Sequence, residues 1–176
     1  MIVNNHNLNQ KIPKKLLPSV FRTRVVVFSF IASDDEVGIT LYKSGEQFAP
    51  VNYDFDAKFD GKLKCKTVSD VVATASTIFE NNRDYIKQAK AKFEDEFATK
   101  IELEDVKDCC VITRQDDCTV FEKQIFCIIK SCEEIEHTIN PEFVRDCIVV
   151  PMSNINEFVK NNQLADYCLE FLYNFE

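Results

Sequence analysis

Near the start of the chain, His6, Lys11, Lys14, Lys15, Arg22 and Arg24 have the chemistry to grip an anion. The first 24 residues hold five Lys or Arg side chains and no Asp or Glu. The rest carries 16 basic and 29 acidic groups, so a +5 stretch leads a −13 body in a chain of net charge −8. Five cations on an extended segment can neutralise several phosphates without a folded pocket. Asn4, Asn5, Asn7, Asn9 and Gln10 add amide groups suited to sugar, phosphate or base edges. His6 offers a ring that stacks on a base. No core-forming pattern runs through this polar stretch, so it orders only against a partner.

Hydrolytic chemistry has fewer candidates. Nucleophilic catalysis needs a base held beside the nucleophile. The chain has two histidines, His6 in the basic stretch and His137 among Glu133, Glu134 and Glu136. Cys132 and His137 make the one Cys–His pairing at short range. The three glycines, Gly38, Gly45 and Gly61, stand apart, which excludes phosphate-cradling glycine loops. Paired acids at 34–36, 116–117 and 133–134 read as solvated turn charges. Glu94, Asp95 and Glu96 form the one acidic cluster on an expected helix, on what reads as its solvated face. The eight cysteines lack the two close pairs of a zinc site and the secretory signal of a disulfide framework. They read as free thiols packed like small hydrophobes, Cys127 within a core strand.

These residues need elements to hold them. Residues 1–20 read as an extended arm, stiffened by Pro13 and Pro18. The apolar run 25–31 is β-branched and aromatic, a buried strand, and 37–42 is its hairpin partner. At 52–59, Tyr53, Phe55 and Phe59 alternate with polar groups, as in an edge strand or a partner-facing loop. A short strand is expected at 63–66. Thr67-x-x-Asp70 makes a capping box before a helix through Val71, Val72, Ala75, Ile78 and Phe79. A second helix is expected over 83–99, strands over 106–113 and 119–131, and a helix start at 140–141. A short buried strand at 147–151 and a last helical region from 153, broken near 161–162, complete the order. That order predicts one α+β domain over 21–176, a mixed, largely antiparallel sheet packed with helices.

From residue 22 to 176 this order of elements looks like a Nudix domain, and Val149-Val150-Pro151-Met152 is similar to a strand end of that family. In that alignment Asp95-Glu96 stand for the family's acidic pair. Ala91 and Lys92 replace its Arg-Glu, Ala98 replaces its Gly, and Thr77 its leading Gly. The resemblance implies Mg2+- or Mn2+-dependent hydrolysis of a nucleoside diphosphate derivative. It makes Glu96 the residue to test.

With so few catalytic groups, the charge split carries the sequence-based expectation. That is a non-enzymatic, cytoplasmic factor docking on a large RNA-containing assembly, the ribosome first, its arm occupying and blocking a site. Structured RNA and basic proteins would be its partners, bound through His6, Lys11, Lys14, Lys15, Arg22 and Arg24. No cofactor, metal, membrane or small-molecule substrate is expected. The alternatives are a diverged Nudix-like metal-dependent hydrolase and a structural subunit of a protein complex.

Overall fold

The apolar run near residue 25 is a strand, and its pairing begins earlier than the run does. β1 covers Val20–Phe28. Phe21, Thr23 and Val25 are buried, while Arg22 and Arg24 alternate with them and are half-buried. Period-two alternation, not hydrophobicity alone, sets where the strand starts. The computed structural model describes residues 18, 20–32, 35–58, 67–78, 82–115, 118–132, 147–161 and 163–164. The expected arm lies outside them except for Pro18 and Val20. Phe59, the strand at 63–66, the helix start at 140–141 and the Cys132–His137 pairing also fall outside the described side chains.

After β1 come β2 (Phe30–Ala32), β3 (Val37–Ser44), β4 (Gln47–Ala49) and β5 (Val51–Lys58). Helices α1 (Val68–Ile78) and α2 (Asn82–Phe97) precede the two long strands β6 (Ile101–Gln115) and β7 (Cys118–Cys132). β8 (Cys147–Pro151), a 3-10 turn and α3 (Ile155–Lys160) follow. One sheet has the strand order β5-β1-β7-β6, and β3 of the other pairs with β2, β4 and β8, each antiparallel. The fold is α+β, a mixed, largely antiparallel arrangement packed with a few helices, as the element order predicts.

Two compact units divide the chain. The first takes in the described residues of 1–25, 53–87 and 108–125. In it Phe21 meets Phe121 with ring centroids 5.5 Å apart, and Phe55 meets Tyr85 of α2 at 5.4 Å. Of the alternating aromatics at 52–59, Phe55 packs against the start of α2. At the head of α1, Thr67 and Asp70 form the expected reciprocal cap. Thr67 N–H donates to the Asp70 carboxylate at 2.9 Å, and Asp70 N–H donates to Thr67 Oγ1 at 3.2 Å.

The second unit takes in the described residues of 26–52, 88–107 and 126–176. Phe28 sits between Phe30 and Phe126, and Phe97 of α2 meets both Phe93 and Tyr42. The β3–β4 hairpin closes Ser44 onto Gln47 across two residues. Gly45 takes φ +63 there, a conformation that costs glycine nothing. β8 matches its expected bounds but not its expected burial. It pairs with β3 through Gly38↔Pro151 to Tyr42↔Cys147, and Cys147 and Val149 share an exposed face. Only Val150 of the strand is buried. Among the described residues no helix is long and apolar enough to cross a membrane.

Candidate functional site

Two clusters of charge stand out, and the first absorbs two of the expected anion-binding residues. Arg22 and Arg24 are two positions apart on β1, so both project from the same face. Asp54 and Asp56 have the same spacing on the neighbouring β5. Each arginine forks onto one aspartate. Arg22 donates to the two Asp56 oxygens from Nε at 2.8 Å and from Nη2 at 3.2 Å. Arg24 donates to the two Asp54 oxygens from Nε at 2.8 Å and from Nη2 at 2.9 Å. On the other flank β7 supplies Glu122, whose side chain is 4% exposed. Its oxygens lie 3.8 Å from Arg22 Nη1 and 3.6 Å from Arg24 Nη1. Gln124 Nε2 donates to Glu122 at 2.7 Å, and Cys109 Sγ on β6 donates to Gln124 Oε1 at 3.5 Å.

The Arg22–Asp56 pair shifts the titration of both its members. The hydrogen bond from Arg22 holds the Asp56 carboxyl below its ordinary range, against the opposing pull of burial. The same bond raises Arg22 further above its ordinary value. Both guanidinium forks are therefore engaged inside the sheet. His6, Lys11, Lys14 and Lys15, the other residues expected to grip an anion, lie outside the described residues.

Lys123 alternates with Glu122 and Gln124 and faces the other way. Its ammonium donates to Asn82 Oδ1 at 2.6 Å and lies 3.8 Å from Asp108. Asn82 Nδ2 in turn donates to Asp108 at 3.0 Å. The first residue of α2 is thus tied to β6 and β7.

The second cluster is the last turn of α2. Ala89, Phe93, Glu96 and Phe97 are its buried residues, at positions i, i+4, i+7 and i+8. Those positions form one helical stripe, so Glu96 lies on the core side, 5% exposed. The expectation of a solvated acidic face is corrected here. Consecutive residues fan out by about 100° around a helix, which leaves Asp95 exposed and Glu94 half-buried. Glu94 accepts twice: Thr99 N–H donates to its carbonyl at 3.2 Å, and Ile101 N–H donates to its carboxylate at 3.1 Å. Between them Ala98 takes φ +49. A six-to-one backbone bond around a left-handed residue is a Schellman ending, where glycine is the usual occupant. Glu94, Asp95, Ala98, Thr99 and Lys100 line an open depression of about 440 Å³ beside this turn.

Among the described residues the cysteines form no cluster that could serve as a site. Cys109, Cys110, Cys127 and Cys147 are free thiols. Burial pushes Cys127 up to about 12, with a smaller push from Asp105, so it is inert as a nucleophile. Burial raises Cys110 and Cys147 as well. Among the described residues, no three His, Cys, Asp or Glu side chains converge as metal ligands.

No protein-family model matches this sequence, and no curated protein matches it. Solved structures do. A mutT/nudix family protein from Listeria innocua is similar over 89% of this chain and 91% of its own, at 12% identity and a TM-score of 0.43. The C. elegans Ap4A hydrolase is similar over 80% and 86%, at 9% identity and 0.39. The NUDIX domain of Shewanella oneidensis NrtR, solved with ADP ribose, is similar over 84% and 82%, at 10% identity and 0.35. None of these likenesses transfers a residue's role to this chain. They do correct the expectation of a non-enzymatic, RNA-binding, ribosome-blocking factor, since the structures it resembles are Nudix proteins.

Proposed function

We propose that this chain is a diverged Nudix-like hydrolase acting on a nucleoside diphosphate derivative, with the last turn of α2 as its working part. The observation that carries this reading is the placement of Glu96. A carboxylate on the apolar stripe of a helix departs from the pattern that builds the stripe, and a carboxylate is one of the side chains that can move a proton to or from a reacting group. It sits two residues before Ala98, whose left-handed backbone occupies the place of the family's glycine.

Glu94 and Asp95 line the depression, and two carboxylates repel a diphosphate unless a cation lies between. The described residues do not complete a three-ligand cation site. What the chain itself supplies is a rigid turn, a buried acid behind it, and Lys100 on its rim. The free thiols suit a reducing compartment, and we place the protein in the cytoplasm.

The test is turnover of a panel of nucleoside diphosphate derivatives with Mg2+, with Mn2+ and with chelator. Wild-type protein is expected to release a phosphate-bearing product with one of the cations. Glu96→Gln is expected to cost about 100-fold or more in kcat. No turnover of any member by the wild-type chain overturns the reading.

A further inference from the structure

Glu94 occupies a position to which the Nudix comparison assigns nothing, yet it bonds twice across the end of α2. Its carbonyl receives Thr99 N–H and its carboxylate receives Ile101 N–H. Ile101 is the first residue of β6 and is buried. The segment 98–100 that lines the depression is thus pinned at both sides by one residue. Building on the hydrolase reading, we propose that Glu94 is the positioning residue of this site. It holds the turn that carries Asp95 and Glu96 and acts through hydrogen bonding, not through its charge.

The chemistry separates this from ligation. A carboxylate that accepts an N–H can be replaced by a carboxamide, whose oxygen accepts the same bond. A carboxylate that holds a cation or takes a proton cannot. Ala98 raises the need for such a clamp, because a residue with a Cβ at φ +49 is disfavoured without outside support.

Native-state hydrogen exchange of the Ile101 amide, with kinetics alongside, tests the proposal on the full chain. Glu94→Ala is expected to cut Ile101 protection about tenfold or more, with amides of β3 unchanged. Glu94→Gln is expected to keep protection within about twofold of wild type. In turnover, Glu94→Ala is expected to lower kcat with KM little changed, and Glu94→Gln to restore it. Two results overturn the proposal: Ile101 protection surviving Glu94→Ala, or Glu94→Gln keeping protection but losing turnover as fully as Glu94→Ala. If wild-type protein turns over nothing, the hydrolase reading falls, and the exchange data alone still decide whether Glu94 holds the turn.

Discussion

The grid on β5, β1 and β7 and the last turn of α2 use the same kinds of side chain to opposite ends. In the grid, acids two positions apart on one strand meet arginines two positions apart on the next. Strand geometry sends both members of each pair to one face, so charge meets charge and the cluster closes on itself. On α2 the three acids are consecutive, and the helix spreads them to three surroundings. Glu94 meets backbone N–H groups, Asp95 meets solvent, and Glu96 enters the core stripe. The charges of the first kind close on one another, whereas each acid of the second kind has its own surroundings.

The largest effect expected from this contrast is at Arg24. Its side chain is 15% exposed and serves both Asp54 and Glu122. Arg24→Met leaves a nearly buried carboxylate with half its cationic support. A loss of about 3 kcal/mol is expected in urea unfolding. A loss well under 1 kcal/mol would make the grid a surface feature and erase the contrast. The opposite sign is expected at the other cluster. Glu96→Leu extends the stripe of Ala89, Phe93 and Phe97 and should raise stability by about 1 kcal/mol while removing turnover. If it destabilises as Arg24→Met does, Glu96 is a structural charge and belongs with the grid.

Much of the fold was legible, and the reasons differ by element. β8 and the Thr67–Asp70 cap were readable because short-range rules decide them: a proline stop and a reciprocal side-chain cap. The apolar run alone gives too short a β1, because Arg22 and Arg24 are the polar phase of an alternating strand as well as part of a basic stretch. The matched two-residue spacings of Arg22/Arg24 and Asp54/Asp56 were a visible signal for the grid. What hid it was pairing between strands some 30 residues apart, which composition does not encode. Glu96 is hidden for a related reason: charge density points to a solvated face, whereas its i+7 offset from Ala89 decides its side of the helix.

A smaller effect isolates the turn from the acids it carries. Ala98 keeps φ +49 despite its Cβ. Ala98→Gly removes that steric conflict at the cost of a more flexible unfolded chain, for a net gain of about 0.5 kcal/mol in stability. Turnover by Ala98→Gly is expected to match the wild type, since the turn keeps its shape. A loss of stability would mean that the left-handed turn is not the native conformation at this helix end.

The smallest effect tests whether the grid's charges are coupled at all. Asp56 is held below its ordinary 3.8 by the hydrogen bond from Arg22. Its pKa is thus lower in the folded chain than in the unfolded one. The stability it adds is present above the unfolded value and disappears as pH falls through the folded value. Its side chain is 46% exposed, so water screens much of the interaction. Asp56→Asn keeps the shape and removes the charge. The difference in unfolding free energy between wild type and Asp56→Asn should be constant near neutrality and shrink only in the acid range, beginning near 3.8 and continuing below it. Raised salt should shrink it further. A difference that stays flat through that range would mean that Arg22 reads Asp56 as a hydrogen-bond acceptor and not as a charge. The grid would then resemble the Glu94 clamp in kind, and the division between the two regions would rest on Glu96 alone.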